Sequence, residues 1–271
     1  MAVLAGDVMY HIRCKARDVG RYVLLPGDPG RVERIARLFD EHWKVAEHRE
    51  YTTYTGRLDG ELVSVTSTGI GCPSTAIAVE ELEAIGVDTF IRVGTSGAMQ
   101  LDVDPGDLVI GSGAIRDEGT SRQYLPIEFP AVASIDVVTS LSEAANKLGK
   151  RHHIGVVHSK DSFYGEVEPQ RMPVHKELEE RWAAWVAGGA LASEMEAAAL
   201  FTICSYLRKR AGCVLLAAAN VERARQHNAF EVLEETDDLL NVAVEGLRHL
   251  IRHDRIRASY PDVTTRAQRI V

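Results

Sequence analysis

Three arginines set among glycine-rich turns are the residues of this chain best suited to chemistry. They are Arg31 in Gly27-Asp28-Pro29-Gly30-Arg31, Arg49 in His48-Arg49-Glu50, and Arg92 in Arg92-Val93-Gly94-Thr95-Ser96-Gly97. The first and third follow short β-type runs, Tyr22-Val23-Leu24-Leu25 and Thr89-Phe90-Ile91, so glycines and a guanidinium fall where strands of an open α/β sheet would end. Amides in tight glycine turns form concave anion nests, and a guanidinium is a planar fork of donors matched to phosphate. A single arginine is usually a solvated surface charge. Three tied to turn chemistry point to an oxyanion site.

A second loaded segment is Ser193-Glu194-Met195-Glu196-Ala197-Ala198-Ala199, where a short apolar run meets a helical pattern. Two carboxylates two residues apart can face opposite ways, and the inward one is a bidentate acceptor for a vicinal diol such as that of ribose. Equally, acids near a helix start complement its dipole. Phe163-Tyr164-Gly165 places an aromatic beside a flexible turn, suited to a flat heterocycle or to ordinary core packing.

Composition bounds the classes. The chain has 271 residues, 45% hydrophobic and 26% charged, ordinary for one large globular α/β domain. A formal charge of −8 repels nucleic acid and anionic membrane, so a phosphate-sized ligand must be drawn by local charge. Cys14, Cys72, Cys204 and Cys213 lack CxxC spacing and read as reduced thiols rather than a zinc site. The N-terminal run Met1 to Asp7 carries no basic region followed by a long apolar stretch, and no window reaches the roughly 18 apolar residues of a membrane span. The expected location is the cytoplasm.

The elements that must position these residues alternate along the chain. Strands are predicted at Tyr22 to Leu25, Glu61 to Thr68, Thr89 to Val93, Asp107 to Ser112, Ile154 to His158 and Cys213 to Ala219. Pro73 opens a helix in which Val79, Leu82 and Ile85 share a face, stopped at Gly86. Further helices are predicted at Ser134 to Leu148, Pro173 to Ala187, Glu194 to Leu207 and Glu231 to Ile251. This rhythm predicts a single domain over residues 1–271, a three-layer α/β/α sandwich around a central mixed, mostly parallel sheet. A polar C-terminal tail is expected from about Arg252.

The ordered strings Pro26-Gly27-Asp28-Pro29-Gly30-Arg31-Val32, His48-Arg49-Glu50, Ser67-Thr68-Gly69-Ile70-Gly71, Arg92-Val93-Gly94-Thr95-Ser96-Gly97-Ala98, Asp161-Ser162-Phe163-Tyr164 and Ser193-Glu194-Met195-Glu196 resemble the nucleoside phosphorylase superfamily. That superfamily includes uridine phosphorylases and the hexameric purine nucleoside phosphorylases. The likeness runs from about Asp7 to Ile251, and His48 to Glu50 and Glu128 to Ala133 are most similar to the uridine branch.

The resemblance implies phosphorolysis of a ribonucleoside to free base and ribose 1-phosphate, with no cofactor and inorganic phosphate as cosubstrate. It assigns phosphate binding to Gly27, Arg31, Arg92 and Thr95, with Arg49 supplied by an adjacent subunit. Met195 and Glu196 match the ribose-binding pair, with Glu194 beside them, and Phe163 matches the aromatic of the base pocket. His11 matches a histidine that a neighbouring subunit lends to the 5′-hydroxyl. A homodimer-based hexamer is thereby implied. Glu50, Ile70 and Ser74 match positions that hold potassium in some uridine phosphorylases.

Two departures bear on the base. Ala218-Ala219-Asn220 stands where purine-cleaving branches carry a Ser-Asp pair, which favours a pyrimidine. Glu166 stands where uridine phosphorylases place a glutamine, and an ionised carboxylate has no donor for uracil. Arg171 or Gln170 could instead meet a base carbonyl. The reading is uridine phosphorolysis, with guanosine or inosine as the alternative substrate. A nucleoside hydrolase would lack the full arginine set, and a non-catalytic binding protein could dispense with an arginine or Glu196. The run Gly94-Thr95-Ser96-Gly97 does not fit a serine-hydrolase elbow.

Overall fold

Ten strands and eight helices alternate in the computed structural model, which describes residues 7–227 and 232–259. The strands are β1 (Tyr22–Pro26), β2 (Glu41–His48), β3 (Tyr51–Leu58), β4 (Glu61–Thr66), β5 (Thr89–Ala98), β6 (Leu108–Asp117), β7 (Ala131–Val132), β8 (His152–Lys160), β9 (Ala192–Glu194) and β10 (Arg210–Asn220). The helices are α1 (Gly30–Ala36), α2 (Cys72–Ala84), α3 (Ile135–Lys147), α4 (Phe163–Val167), α5 (His175–Ala187), α6 (Ala197–Leu207), α7 (Val221–His227) and α8 (Asp237–Ser259). The N-terminal residues 1–6 and the predicted helix start at Glu231 lie outside the described residues.

The layers follow from where apolar side chains cluster. Val79 and Leu82 of α2 and Phe201 and Ile203 of α6 cover one face of the sheet. Val32 and Ile35 of α1, Val137 and Leu141 of α3, and Leu247 and Leu250 of α8 cover the other. The central strands, buried on both faces, read as continuous apolar runs for that reason.

The sheet is mixed. Parallel pairs join β1 with β4 and β5, β5 with β10, β6 with β8, and β8 with β9. Antiparallel pairs join β2, β3 and β4 into a meander and link β10 to β6, β5 to β9 and β6 to β7. The antiparallel share exceeds what strand–helix alternation predicts, because the meander needs no crossover helix.

Part of the sheet closes on itself instead of staying open. Strand β1 ends where Pro26 pairs with Val93, and β5 continues to Ala98. Its vacated edge is taken by β9, with Gly97 opposite Ser193, so β5, β10, β6, β8 and β9 form a ring. Strand ends carrying Arg92 to Gly97, Lys160 and Ser193 to Glu196 therefore converge.

From Arg252, where a polar tail is expected, the chain is helical to Ser259, and the remainder of that expected tail lies outside the described residues. Helix α8 continues to Ser259 because its polar residues are tethered. Asp254 accepts from Arg210 and Tyr22, while Arg252 and Arg255 reach Asp59 across the sheet edge. Among the described residues no helix is long and apolar enough to cross a membrane.

Candidate active site

The converging strand ends enclose a cavity of about 830 Å³, the size range of small-molecule sites. Gly27, Arg31, Arg92, Thr95, Phe163, Glu166, Glu194, Met195 and Glu196, all singled out in the sequence, line it. Ligands of α/β sheets bind outside the carboxyl ends of the strands, and this cavity has that placement.

Arg92 lies at its floor. Its Nε donates to Glu194 Oε2 at 2.7 Å, and a terminal nitrogen lies 2.5 Å from Glu196 Oε2. All three side chains are buried. Burial alone would lower the Arg92 pKa, but Glu196 and Glu194 hold it above the ordinary arginine value. Burial pushes the Glu196 carboxyl up, and Glu194 adds to this while Arg92 opposes it.

The two glutamates do not face opposite ways, which corrects the sequence expectation. Glu194 accepts from the amides of Glu196 and Ala197, from Ser159 and from Arg92, so its oxygens are committed to protein donors. It tethers Arg92 and caps α6. Glu196 accepts from the Gly71 amide at 2.5 Å and pairs with Arg92, and it lines the cavity beside the more fully bonded Glu194.

Arg31 completes the anion side. It sits 3.9 Å from the Asp28 carboxylate, whose other oxygen accepts from the Gly30 amide. Its pKa lies below the usual arginine range through burial; Asp28 pulls the other way, and the nearby positive charges of Arg92 and Arg34 add to the lowering. Two guanidinium groups that repel each other beside one cavity stabilise an anion placed between them. Thr95 lines the same wall with no protein partner for its hydroxyl among the described residues.

Another wall of the cavity is built by α4, whose start is fixed by Ser162 accepting from the Gly165 amide at 3.0 Å. This capping presents Phe163 to the cavity, half exposed, against Tyr164 edge-on at 5.4 Å. Glu166 is buried and is not alone, because Lys160 lies 2.9 Å from its Oε2. Lys160, Val167 and Val221 line the cavity without having been singled out in the sequence. Lys160 ends a strand directly before Asp161-Ser162-Phe163-Tyr164, a position that could have flagged it. Asn220 donates to the Gln100 and Val103 carbonyls and accepts from the Arg223 amide, so it is consumed by loop structure.

Arg171 is a second correction. It is exposed, bound to Glu168 at 2.6 Å and absent from the cavity wall. Gln170 likewise lies outside the lining. His11 and Arg49 are also outside it, but together. The His48 ring holds the His11 carbonyl at 2.9 Å, and Arg49 follows in the β2–β3 turn with φ 55°. His11 Nδ1 is fixed by Glu81 at 2.7 Å. Glu50 and Ser74 flank Gly69, next to Ile70.

Two guanidinium groups, two buried glutamates and a half-exposed aromatic thus share one cavity at the strand ends. The sequence profile described as the Phosphorylase superfamily matches residues 21–253, and the chain belongs to that family. It is 52% identical to a uridine phosphorylase of Treponema pallidum over 94% of this chain and 99% of that protein. It is 48% identical to a uridine phosphorylase of Thermococcus kodakarensis over 91% of this chain and 88% of that protein. A guanosine phosphorylase of Halorubrum lacusprofundi is 39% identical over 89% of this chain and 94% of that protein.

Proposed function

We propose that the chain cleaves uridine with inorganic phosphate, giving uracil and ribose 1-phosphate. The observation that carries this is the shared ion pair of Arg92 and Glu196 at the cavity floor, which puts anion donors and a diol acceptor side by side. Phosphate is already a nucleophile and needs positioning and partial desolvation against the anomeric carbon. Arg31, Arg92, Gly27 and Thr95 supply that, Glu196 and Met195 orient the ribose, and Phe163 provides the ring platform. Positive charge develops at the anomeric carbon as the glycosidic bond lengthens, and the approaching phosphate neutralises it.

Uridine is favoured because Asn220, at the position where purine-cleaving branches carry an aspartate, is an amide bound to backbone. Guanosine or inosine is the second reading, supported by the guanosine phosphorylase relative and by the acceptor that Glu166 offers.

The functional unit is a dimer, repeated three times in a hexamer. Within one chain Asp28, Glu194 and Glu196 offset the charges of Arg31 and Arg92, and Lys160 is paired with Glu166, so phosphate meets no net positive charge until a further cation arrives. Arg49 and His11, presented on one corner away from their own cavity, fit that role for a second copy. The Ser74 hydroxyl donates to the Ile70 carbonyl, and the Cβ and Cγ of Glu50 lie against Gly69 beside it, so three residues with hard oxygen donors meet there. They fit one half of a potassium site, the other half coming from the second copy, and would brace the interface without entering the reaction. A cytoplasmic setting is supported by four buried thiols that stay unpaired.

The test is uridine turnover with phosphate titrated from zero. Rate should saturate with phosphate, and equal turnover without it would reassign the protein to the hydrolases. For the shared site, Arg31→Ala and Arg49→Ala are each expected to be inactive and to recover activity when co-expressed.

A further inference from the structure

Glu166 and Lys160 close the cavity on the base side and separate it from a second cavity of about 190 Å³. Both are buried. The Lys160 ammonium donates to Glu166 Oε2 and, at 2.8 Å, to Ser193 Oγ, while the Ser193 hydroxyl donates to the same Oε2. Behind them His158 bridges Ser193 at 3.0 Å and Asp117 at 3.1 Å, and Arg181 holds Asp117. The back of the pair is thus fixed by polar partners.

Its front is not used up. Glu166 Oε1 has no hydrogen-bond partner among the described residues and would lie 4.0 Å from a Cβ on Gly97, a residue of the cavity wall. An ammonium has three donors, of which protein acceptors take two. One acceptor and one donor therefore remain side by side at the cavity wall, the face that a single carboxamide would present.

We propose that Lys160 and Glu166 together read the base as an N–H next to a carbonyl, an inference that rests on the phosphorolysis reading above. Oε1 accepts the ring N–H, and the ammonium donates to the adjacent carbonyl oxygen. Uracil and thymine carry this edge at N3–H and O4, and hypoxanthine and guanine carry it at N1–H and O6. Cytosine and adenine reverse it, presenting a bare ring nitrogen and an amino group. The substrate class is oxo-base nucleosides of either ring size, with amino-base nucleosides rejected. The pair also removes the difficulty of a lone carboxylate against uracil, because the carbonyl meets Lys160. As the glycosidic bond breaks, its electron pair goes to the base and a phosphate oxygen bonds to the anomeric carbon. The ammonium stabilises the negative charge that reaches the carbonyl, and the base is protonated afterwards from water.

The test compares kcat/KM at saturating phosphate for uridine, cytidine, inosine, adenosine and 5-fluorouridine. In the wild type, uridine should exceed cytidine and inosine exceed adenosine by about 10²-fold or more. Lys160→Met should lower uridine by about 10²-fold, and 5-fluorouridine by less, since its ring leaves as a more stable anion. Lys160→Met leaves a buried carboxylate, so two doubly substituted forms control for folding. Lys160→Met/Glu166→Gln should recover uridine over cytidine, because glutamine offers both a donor and an acceptor. Lys160→Met/Glu166→Leu, equally free of buried charge, should not. A uridine preference surviving in the leucine form, or equal losses for uridine and 5-fluorouridine, would overturn the assignment. If the wild type consumes no nucleoside with phosphate, the phosphorolysis reading fails instead. Calorimetric binding of uracil against cytosine to the same variants then decides the pair, with uracil preference expected in the wild type and its absence overturning the proposal.

Discussion

Gly94→Ala tests the phosphate cradle through a single methyl group. A Cβ on Gly94 would come 2.7 Å from a terminal nitrogen of Arg92, 2.8 Å from its Cζ and 3.1 Å from Leu215 Cδ2. The closest of these is roughly 0.8 Å inside the optimal separation of about 3.5 Å. A free arginine would swing aside at little cost. This one is held by Glu194 at 2.7 Å and Glu196 at 2.5 Å, so the methyl must displace the guanidinium or break the pair. Misplacing a positioning group by on the order of 1 Å costs about 10²-fold, equivalent to about 2.7 kcal/mol of activation free energy. The assay is initial rate against phosphate at saturating uridine, with a thermal melt to show folding, since overpacking costs about 1–3 kcal/mol. The expected result is a folded variant whose kcat/KM for phosphate falls about 10²-fold. A folded variant within about two-fold of wild type would mean that Arg92 does not position phosphate.

Asn220→Asp sets a carboxylate against two backbone carbonyls, so a stability loss of about 1–3 kcal/mol is expected in a denaturant melt, without new purine activity; a rise in inosine cleavage would contradict this placement. Arg171→Ala should leave uridine kcat/KM within about two-fold, as for other exposed substitutions, and a large loss would put Arg171 back in the base pocket. Glu196 must be ionised to accept ribose hydroxyls, and burial raises its pKa, so the acid limb of kcat/KM should lie above the ordinary glutamate value of about 4.3. Glu196→Gln should abolish that limb once the titration of phosphate, common to both enzymes, is divided out; an unchanged limb would assign it elsewhere. The same raised carboxyl binds its proton more tightly folded than unfolded, so its contribution to stability is lost as pH rises from about 4.3 through the folded value.

Local signals made much of this legible. The apolar run Tyr22 to Leu25 and the amphipathic stretch Ser134 to Leu148 became β1 and α3 within a residue or two at each end. Strand β2 was missed because Glu41, His42, Trp43 and Lys44 lie exposed at a sheet edge and show no apolar run. The Asp59-Gly60 pair that turns β3 into β4, with φ 51° and 78°, was a hairpin signal available in the sequence. Helix α6 starts at Ala197 instead of Glu194 because the Glu194 side chain accepts the amides of Glu196 and Ala197, a cap braced by distant Arg92 and Ser159. Helix α8 outlasts its apolar pattern through Arg210, which no local window sees. The residues proposed for phosphate and ribose were readable because each sits in its own turn or strand end. Lys160 was not, because its meaning depends on Glu166 and Ser193, brought to it by α4 and β9.

Phosphorus NMR of uridine consumption in the presence of phosphate tests the central claim most directly. One equivalent of ribose 1-phosphate should form for each uracil released, with inorganic phosphate falling in step. Release of uracil with free ribose and undiminished phosphate would contradict the account.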